Sequence, residues 1–168
     1  AVRSLVGIRR RLQQAGMSAF APEIVDAGTT GRAWLVTRTP VGVVPLRSVR
    51  AALRNGLDGR DWAWIARRIL MTLDAAATAH GRLDFDTVAI DPGVHGVVLS
   101  GWRGAGDDGR ALADLFDALL ADGIPEDRQR RFARRAQTLA PARVLAEYDL
   151  LLHHLYGERR FRPFPTEG

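Results

Sequence analysis

A long apolar stripe in the middle of the chain constrains its fold more than any other feature. The stripe repeats at α-helical spacing and leads to His80; it consists of Trp62, Ile65, Ile69, Leu73 and Ala76 or Ala77. Such spacing predicts an amphipathic helix with one buried face, and Asp58 or Asp61 can cap its first turn. Because a helix of this kind must bury its apolar face, the remaining elements have to pack around it.

Other apolar patterns supply those elements. A second apolar stripe predicts a buried helix over residues 111–121 that ends near Gly123. Four further helical patterns are present: one before Gly16, one from Leu46 to Asn55, one from Pro125 to Gln137 and one after Pro141. The segments "APEIVDAG" and "RAWLVTR" predict a hairpin around "TTGR", and "TVAI" and "GVVLS" predict a second hairpin around "DPGVH". "TPVGVVP" indicates a connector. Many helices and few strands predict an α+β fold that is mostly α.

The composition narrows the chemistry. All 24 basic residues are arginines, since the sequence contains no lysine, and cysteine is absent. The chain therefore offers no disulfide, thiolate zinc site, Cys nucleophile or Schiff-base amine. The net charge of +5 fits GC-rich coding better than a nucleic-acid surface. No apolar run approaches about 20 residues, so we expect no membrane span, and the lack of cysteine fits a cytoplasmic protein.

One short stretch carries a recognisable motif. "HGRLDFDTVAID" begins at His80, and its His and Leu fall in the register of H-x-D-L-x-x-x-N, the catalytic loop of protein kinases. The order of the predicted elements, with a hinge-like "LVTRTPVG", also resembles a protein kinase that lacks its first three strands. The segments "LDGRDWAWIARRIL", "HGVVLSGW" and "LAEYDLLLHHLYGERRFRPFP" are similar to a group of degenerate kinase-like proteins from GC-rich bacteria.

The resemblance implies a protein-kinase-like C-lobe with a reduced N-lobe. Residues 1–42 would form the N-lobe part, one helix and a hairpin; residues 43–156 would form the helical C-lobe; residues 157–168 would form an extended tail rich in Arg, Phe and Pro. The chain begins without Met, so a longer protein could supply more of the N-lobe. The segment between Gly101 and Asp108 is too short for the activation segment with which kinases hold peptide substrates.

The resemblance also implies that the catalytic positions are degenerate. Arg82 stands at the position of the catalytic Asp, Thr87 at that of the metal-binding Asn and Gly101 at that of the Asp in D-F-G. A guanidinium stays protonated, so it cannot accept a hydroxyl proton. The first helix contains no acid to stand for the Glu that pairs with the kinase Lys. We therefore expect a catalytically inactive binding or scaffold domain that uses no metal and no cofactor.

Three acids keep an enzyme alternative open. Asp84, Asp86 and Asp91 crowd one loop and could hold Mg²⁺ for ATP, or act as acid and base, in an atypical phosphotransferase. Turn chemistry is the other interpretation, in which these side chains cap loop backbone and Asp91 opens a hairpin connector. His80 is expected to pack and to bond to the backbone. Asp108 is expected either to accept hydrogen bonds from the loop, as the resemblance implies, or to cap the next helix.

The remaining candidates lie on predicted surfaces. The hinge-like candidates for contact with an adenine edge are Arg38, Thr39 and Pro40. The candidates on the basic helix share one face and are Arg128, Arg131 and Arg135. The candidates in the tail are Arg160, Phe161 and Phe164. These surfaces could bind a protein partner, the tail could instead dock on its own domain, and a basic nucleic-acid-associated module is a third interpretation of the chain.

Overall fold

The computed structural model describes residues 2–28, 34–38, 40–158, 160, 163 and 164. In this part of the chain there are six α-helices: α1 (Val2–Gln14), α2 (Leu46–Ala52), α3 (Gly59–Ala76), α4 (Asp108–Leu119), α5 (Ile124–Ala136) and α6 (Pro141–Tyr156). Five strands form two small sheets: β1 (Glu23–Gly28), β2 (Trp34–Arg38), β3 (Val44–Pro45), β4 (Val88–Asp91) and β5 (Gly96–Leu99). The chain is therefore an α+β protein, as its sequence patterns predict.

Helix α3 is the central element. It packs against α1, α4, α5, α6 and β5, and its stripe residues Trp62, Ile65 and Ile69 are fully buried. Burial of a side chain of this size contributes about 1.5–3 kcal/mol. The Asp58 carboxylate caps the helix by accepting the backbone N–H of Arg60 at 2.7 Å. The longest predicted helix is thus present.

The other core helices surround α3 with aromatic rings. Phe116 of α4 meets Trp62 edge-on with ring centroids 5.1 Å apart, and Tyr148 of α6 lies 5.5 Å from Phe116. Buried polar groups lie next to these rings: the Tyr148 hydroxyl donates to Gln129 Oε1 at 2.5 Å, and Gln129 Nε2 donates to the carbonyl of Gly59 at 3.2 Å. Because these groups join α5 and α6 to the first turn of α3, they fix how the three helices meet.

The N-terminal elements pack on the other end of α3. Ile8 and Leu12 of α1 are buried in a small cluster with Ala76, and the Arg11 side chain donates to the carbonyl of Ala76 at 2.5 Å. Strands β1 and β2 are antiparallel and their register shifts between residues 24 and 26. The predicted first hairpin is confirmed by this pairing, while its "TTGR" turn lies outside the described residues.

The second sheet corrects the prediction of a simple hairpin. Strand β3, in the predicted connector, pairs antiparallel with β4, so that Val44 faces Ile90 and Pro45 faces Ala89. The sheet order is therefore β3-β4-β5. A two-residue strand carries no alternation that a sequence could reveal, and proline is tolerated there because β3 lies at the edge of the sheet. The second sheet therefore has three strands rather than the two that were predicted.

The boundaries of two helices also differ from the predicted ones. Helix α2 ends at Ala52 rather than Asn55. Helix α4 spans 108–119 rather than 111–121, because the Asp107 carboxylate caps it by accepting the N–H of Arg110 at 2.9 Å and because Leu120 is extended and forms a bridge with Leu57. Among the helices in the described ranges, none has the length and apolar character needed to cross a bilayer.

Candidate functional site

The motif-bearing loop connects the end of α3 to strand β4. Helix α3 stops because Ala77 adopts a left-handed conformation with φ of 48°, and Gly81 turns the chain again with φ of 79°. The segment that follows β5 then runs back along the loop: Ala79 bridges Gly104, and the N–H of Arg103 donates to the carbonyl of His80 at 2.8 Å. The backbone of the loop is therefore bonded to the segment that follows β5.

Asp108 ties this loop to the first turn of α4. Its Oδ2 accepts the backbone N–H of His80 at 2.6 Å, and its Oδ1 accepts that of Gly81 at 2.8 Å. Hydrogen bonds to a charged acceptor are worth about 1.5–3 kcal/mol each. The contacts expected of Asp108 from the kinase resemblance are present, and the alternative role, the cap of α4, belongs to Asp107 instead. We call this pair of hydrogen bonds the Asp108 clamp.

His80 lies inside the loop and supports it. The side chain is fully buried, its Nε2 lies 2.8 Å from the carbonyl of Ser100, and its Nδ1 accepts the N–H of Arg82 at 3.3 Å. The ring also packs on Trp102 with centroids 4.5 Å apart. Burial lowers the pKa of His80, so the neutral form with a proton on Nε2 fits both contacts. Both ring nitrogens are engaged with backbone, as expected for a structural histidine.

Arg82 and Asp84 form an ion pair at the solvent-facing side of the loop. Arg82 Nε donates to Asp84 Oδ2 at 2.9 Å, and Asp84 Oδ1 accepts the backbone N–H groups of Asp86 and Thr87, each at 2.9 Å. Burial acts to raise the pKa of Asp84, but the hydrogen bonds from Arg82, Asp86 and Thr87 outweigh it, so that the pKa lies below its usual value. Asp84 is thus an ionised capping group and a weak base.

Thr87, at the end of the loop next to β4, is hydrogen-bonded to the backbone of the residues before it. Its hydroxyl donates to the carbonyl of Arg82 at 2.6 Å and accepts the N–H of Asp84 at 3.0 Å, and its side chain is buried. The carbonyl of Thr87 in turn accepts the N–H of Ser100 at 2.9 Å. A hydroxyl engaged on both sides in this way holds the loop shut and has little capacity left for a metal ion.

Gly101 has a backbone conformation and a close neighbour that both disfavour a side chain at this position. Its φ is 74°, a conformation that L-residues adopt only at a cost of about 1–2 kcal/mol. A Cβ atom placed here would lie 3.2 Å from Cγ2 of Thr87. An Asp at position 101 would therefore be both strained and crowded against the loop.

The three acids of the enzyme alternative do not converge on one point. Asp86 pairs with Arg47 at 2.6 Å, and Asp91 Oδ1 accepts the N–H of Gly93 at 3.0 Å. The expectation that Asp86 caps loop backbone is thus wrong, because its carboxylate reaches across to α2, whereas Asp84 and Asp91 do cap backbone. Across the described ranges there is no group of three or more metal-ligating side chains.

The hinge-like candidates lie at the end of the first sheet. Arg38 is exposed and pairs with Glu23 across the β1–β2 ladder at 3.2 Å, and Pro40 is exposed. Thr39 lies outside the described residues. The Arg38 guanidinium is therefore engaged within its own hairpin rather than held for a ligand.

The candidate partner-binding residues of the basic helix are exposed, whereas those of the tail differ from one another. Arg128, Arg131 and Arg135 are exposed on α5, and Arg160 is exposed too. Phe161 lies outside the described residues. Phe164 is buried and its ring meets Trp64 of α3 edge-on at 5.8 Å, so that it docks on its own domain and is not displayed to a partner. This self-docking corrects the choice of Phe164 as a partner-binding residue.

Two concave regions were not predicted from the sequence. A cavity of about 350 Å³ lies between α3, α4, α5 and α6, with apolar walls that include Leu73, Phe116 and Phe132 and with Asp108 at its border. A wider groove runs between α3 and α6 past Trp64. Both result from helix packing between distant segments, a kind of feature that leaves no local pattern in a sequence.

Comparisons with known proteins assign no family to the chain. No protein-family model and no curated protein sequence matches it. The function must therefore be argued from the loop geometry and from the exposed surfaces.

Proposed function

We propose that this chain is a catalytically inactive, protein-kinase-like domain that acts by binding a protein partner, in the cytoplasm. The observation that carries the proposal is the ion pair at the position where a kinase has its catalytic Asp. There Arg82 presents a guanidinium bound to Asp84 at 2.9 Å. Because a guanidinium stays protonated, it cannot take a proton from an attacking hydroxyl.

The Asp108 clamp supports the kinase-like part of the proposal. In the interpretation suggested by the resemblance, α3 is the long helix that precedes the catalytic loop, β4 and β5 are the hairpin that follows it, and α4 is the buried helix whose first Asp holds the loop backbone. In this arrangement Asp108 leaves the cap of its own helix to Asp107 and bonds a distant loop twice. It fits a loop whose shape was once required for chemistry.

Two further positions support the absence of phosphoryl transfer. This reaction depends on carboxylates and amides that hold metal ions against phosphates. At the matching positions Thr87 has its hydroxyl engaged by loop backbone, and Gly101 has no side chain. An atypical phosphotransferase would instead have to use Asp84, Asp86 or Asp91, and each of these is already bound to an arginine or to backbone N–H groups.

A binding role follows from what the fold retains. The helices and the loop are held together by buried contacts, while arginines on α5 remain exposed. A rigid framework with exposed arginines is suited to contacts with another protein, since arginine is enriched in such interfaces. A nucleic-acid-associated module is the remaining alternative, and its test is a steep dependence of nucleic-acid binding on salt.

Calorimetry and a labelling assay test the proposal together. ATP with Mg²⁺ is titrated into the protein at millimolar concentration, and γ-labelled ATP is incubated with the protein alone and with generic protein acceptors. We expect no binding heat and no transferred label. Label that appears with the wild type, disappears in Asp84→Asn or Asp86→Asn, and persists in the control variant Arg110→Ala, which alters an exposed arginine, would establish an enzyme and overturn the proposal.

A further inference from the structure

The arginines of α5 divide into two sets with different surroundings. Arg130 pairs with Asp127 at 2.8 Å and donates to the carbonyls of Leu120 and Ala121, and Arg134 grips Asp117 of α4 with two hydrogen bonds of 3.1 and 2.9 Å. These two arginines hold α5 against α4 and against the residues that follow α4. Their charge is used within the domain.

The second set consists of Arg128, Arg131 and Arg135. All three are exposed, and within the described part of the chain their side chains form no ion pair and no hydrogen bond. Ala133 and Ala136, which lie on another face of α5, are buried in the core. The three guanidinium groups therefore point away from the domain, and their charge is available to another molecule.

An exposed apolar side chain continues the same line. Ile124, the first residue of α5, is 79% exposed. At about 100° per residue, Ile124, Arg128, Arg131 and Arg135 fall within about 60° of arc and extend about 16 Å along the helix. We call these four residues the α5 stripe. One exposed isoleucine is ordinary on a protein surface, but here it lies in line with three exposed arginines.

The chemistry of the α5 stripe favours an acidic protein segment over nucleic acid. Carboxylates bind guanidinium groups in paired hydrogen bonds, and an apolar side chain of a peptide can pack on Ile124. Exposed acids also flank the stripe, namely Asp122 just before α5 and Asp127 within its first turn. Fixed negative charges beside the arginines repel a continuous polyanion more than a short peptide that can place its carboxylates between them.

We propose that the α5 stripe docks a short acidic segment of a partner protein, with an apolar side chain of that segment seated on Ile124. This inference names the chemistry of the partner and so rests on the binding role proposed above. Arg128, Arg131 and Arg135 bind the carboxylates, and Ile124 sets the position of the segment along the helix.

Labelled peptides test the docking directly. The probes are two peptides of about 12 residues made of Glu and Ser, one with a central Leu and one with Ser in its place; an extended chain of this length is more than long enough to span the stripe. Binding is followed by fluorescence anisotropy at low salt. The triple variant Arg128→Ala/Arg131→Ala/Arg135→Ala is compared with Arg10→Ala/Arg54→Ala/Arg110→Ala, which removes the same charge from exposed positions elsewhere. Circular dichroism checks that both variants fold.

We expect the three variants to change peptide binding in different ways. The stripe variant weakens binding of the Leu peptide by about tenfold or more, which corresponds to about 1.4 kcal/mol for the three charges together. The control variant weakens it much less. Ile124→Ser removes the advantage of the Leu peptide over the Ser peptide and leaves binding of the Ser peptide unchanged.

Three results would overturn the inference: no binding by the wild type at millimolar peptide, equal losses in the two triple variants, or tighter binding of a single-stranded oligonucleotide than of the acidic peptide. None of them bears on the inactive loop. Conversely, phosphate transfer from ATP would end the proposal of an inactive domain and leave the peptide result standing, so the two failures are distinguishable.

Discussion

The carboxylate of Asp108 and the backbone of His80 are joined by a hydrogen bond of 2.6 Å between residues that are 28 positions apart in the chain. The second carboxylate oxygen binds the next N–H, that of Gly81, at 2.8 Å. His80 in turn bonds to Ser100 and packs on Trp102. The loop is therefore stabilised by contacts to two later segments rather than by its own local sequence.

Removal of the Asp108 clamp should destabilise the protein more than removal of a helix cap beside it. Asp108→Ala leaves the N–H groups of His80 and Gly81 without their acceptor, and we expect a loss of about 3 kcal/mol in the free energy of unfolding. Asp107→Ala removes the cap of α4 and should cost about 1 kcal/mol. Urea unfolding followed by circular dichroism measures both. Equal losses in the two variants would show that the clamp adds nothing beyond capping.

A pair of glycines tests how closely the loop and the segment after β5 approach each other. Gly81 and Gly104 have nearly the same backbone conformation, with φ of 79° and 81°. A Cβ atom on Gly81 would meet the carbonyl oxygen of Ala105 at 2.0 Å, whereas a Cβ atom on Gly104 has no neighbour within 4 Å. Gly104→Ala should therefore cost about 1–2 kcal/mol for the backbone conformation alone.

Gly81→Ala adds a clash with backbone to the same conformational cost. We expect its urea midpoint to fall clearly further than that of Gly104→Ala, and the comparison cancels the backbone contribution that both variants share. Similar midpoints in the two variants would mean that the segment after β5 can move away from the loop without loss.

The parts of this fold that are local in sequence were predictable. The stripe over α3 and the apolar pattern of α4 reveal buried helices because one helical face repeats every three to four residues. The motif that begins at His80 also led, through its resemblance to a kinase loop, to the expected role of Asp108. Even there, the choice between clamp and cap required the structure, because Asp107 and Asp108 are adjacent and both lie at the start of α4.

The parts that depend on distant segments were not predictable. Asp86 was expected to cap its loop, but its carboxylate reaches Arg47, 39 residues earlier. β3 consists of two residues and is a strand only because β4 lies beside it. The sequence shows by helical spacing that Arg128, Arg131 and Arg135 share one face of α5. Only the structure shows that Arg130 and Arg134 are paired with acids.

The buried neutral His80 should make stability depend on pH in the weakly acidic range. Burial lowers the pKa of His80 in the folded protein, so below about pH 6.5 the unfolded chain binds a proton that the folded protein does not. The free energy of unfolding should therefore fall as the pH drops from about 7.5 to 5, by up to about 1.4 kcal/mol per pH unit from this residue. Urea midpoints across that range measure the slope.

Two variants separate His80 from the two histidines of α6. His80→Gln should lower stability at all pH values and flatten the slope. His153→Gln/His154→Gln alters exposed side chains on α6 and should leave the slope as in the wild type. A slope that survives in His80→Gln would assign the pH dependence to other groups.

The two tyrosines should stay protonated well into the alkaline range. Burial raises the pKa of Tyr148 well above its usual value, and it raises the pKa of Tyr156 to about 12, with the nearby Glu126 and Asp58 carboxylates adding to the effect. Because the chain contains only these 2 tyrosines, absorbance of phenolate near 295 nm reports on them alone. At pH 11 the folded protein should show little phenolate, whereas the urea-unfolded chain should show both residues ionised.

The same shifts set the direction of the stability change at high pH. Since the folded-state pKa values lie above the unfolded value of about 10, the unfolded chain releases protons first, and the free energy of unfolding should decrease as the pH rises beyond about 10. Tyr148→Phe should remove the contribution of Tyr148 and leave one titration near 12, that of Tyr156. Phenolate absorbance with a midpoint near 10 in the folded wild type would contradict the burial of Tyr148 against Gln129 and with it the packing of α5 on α6.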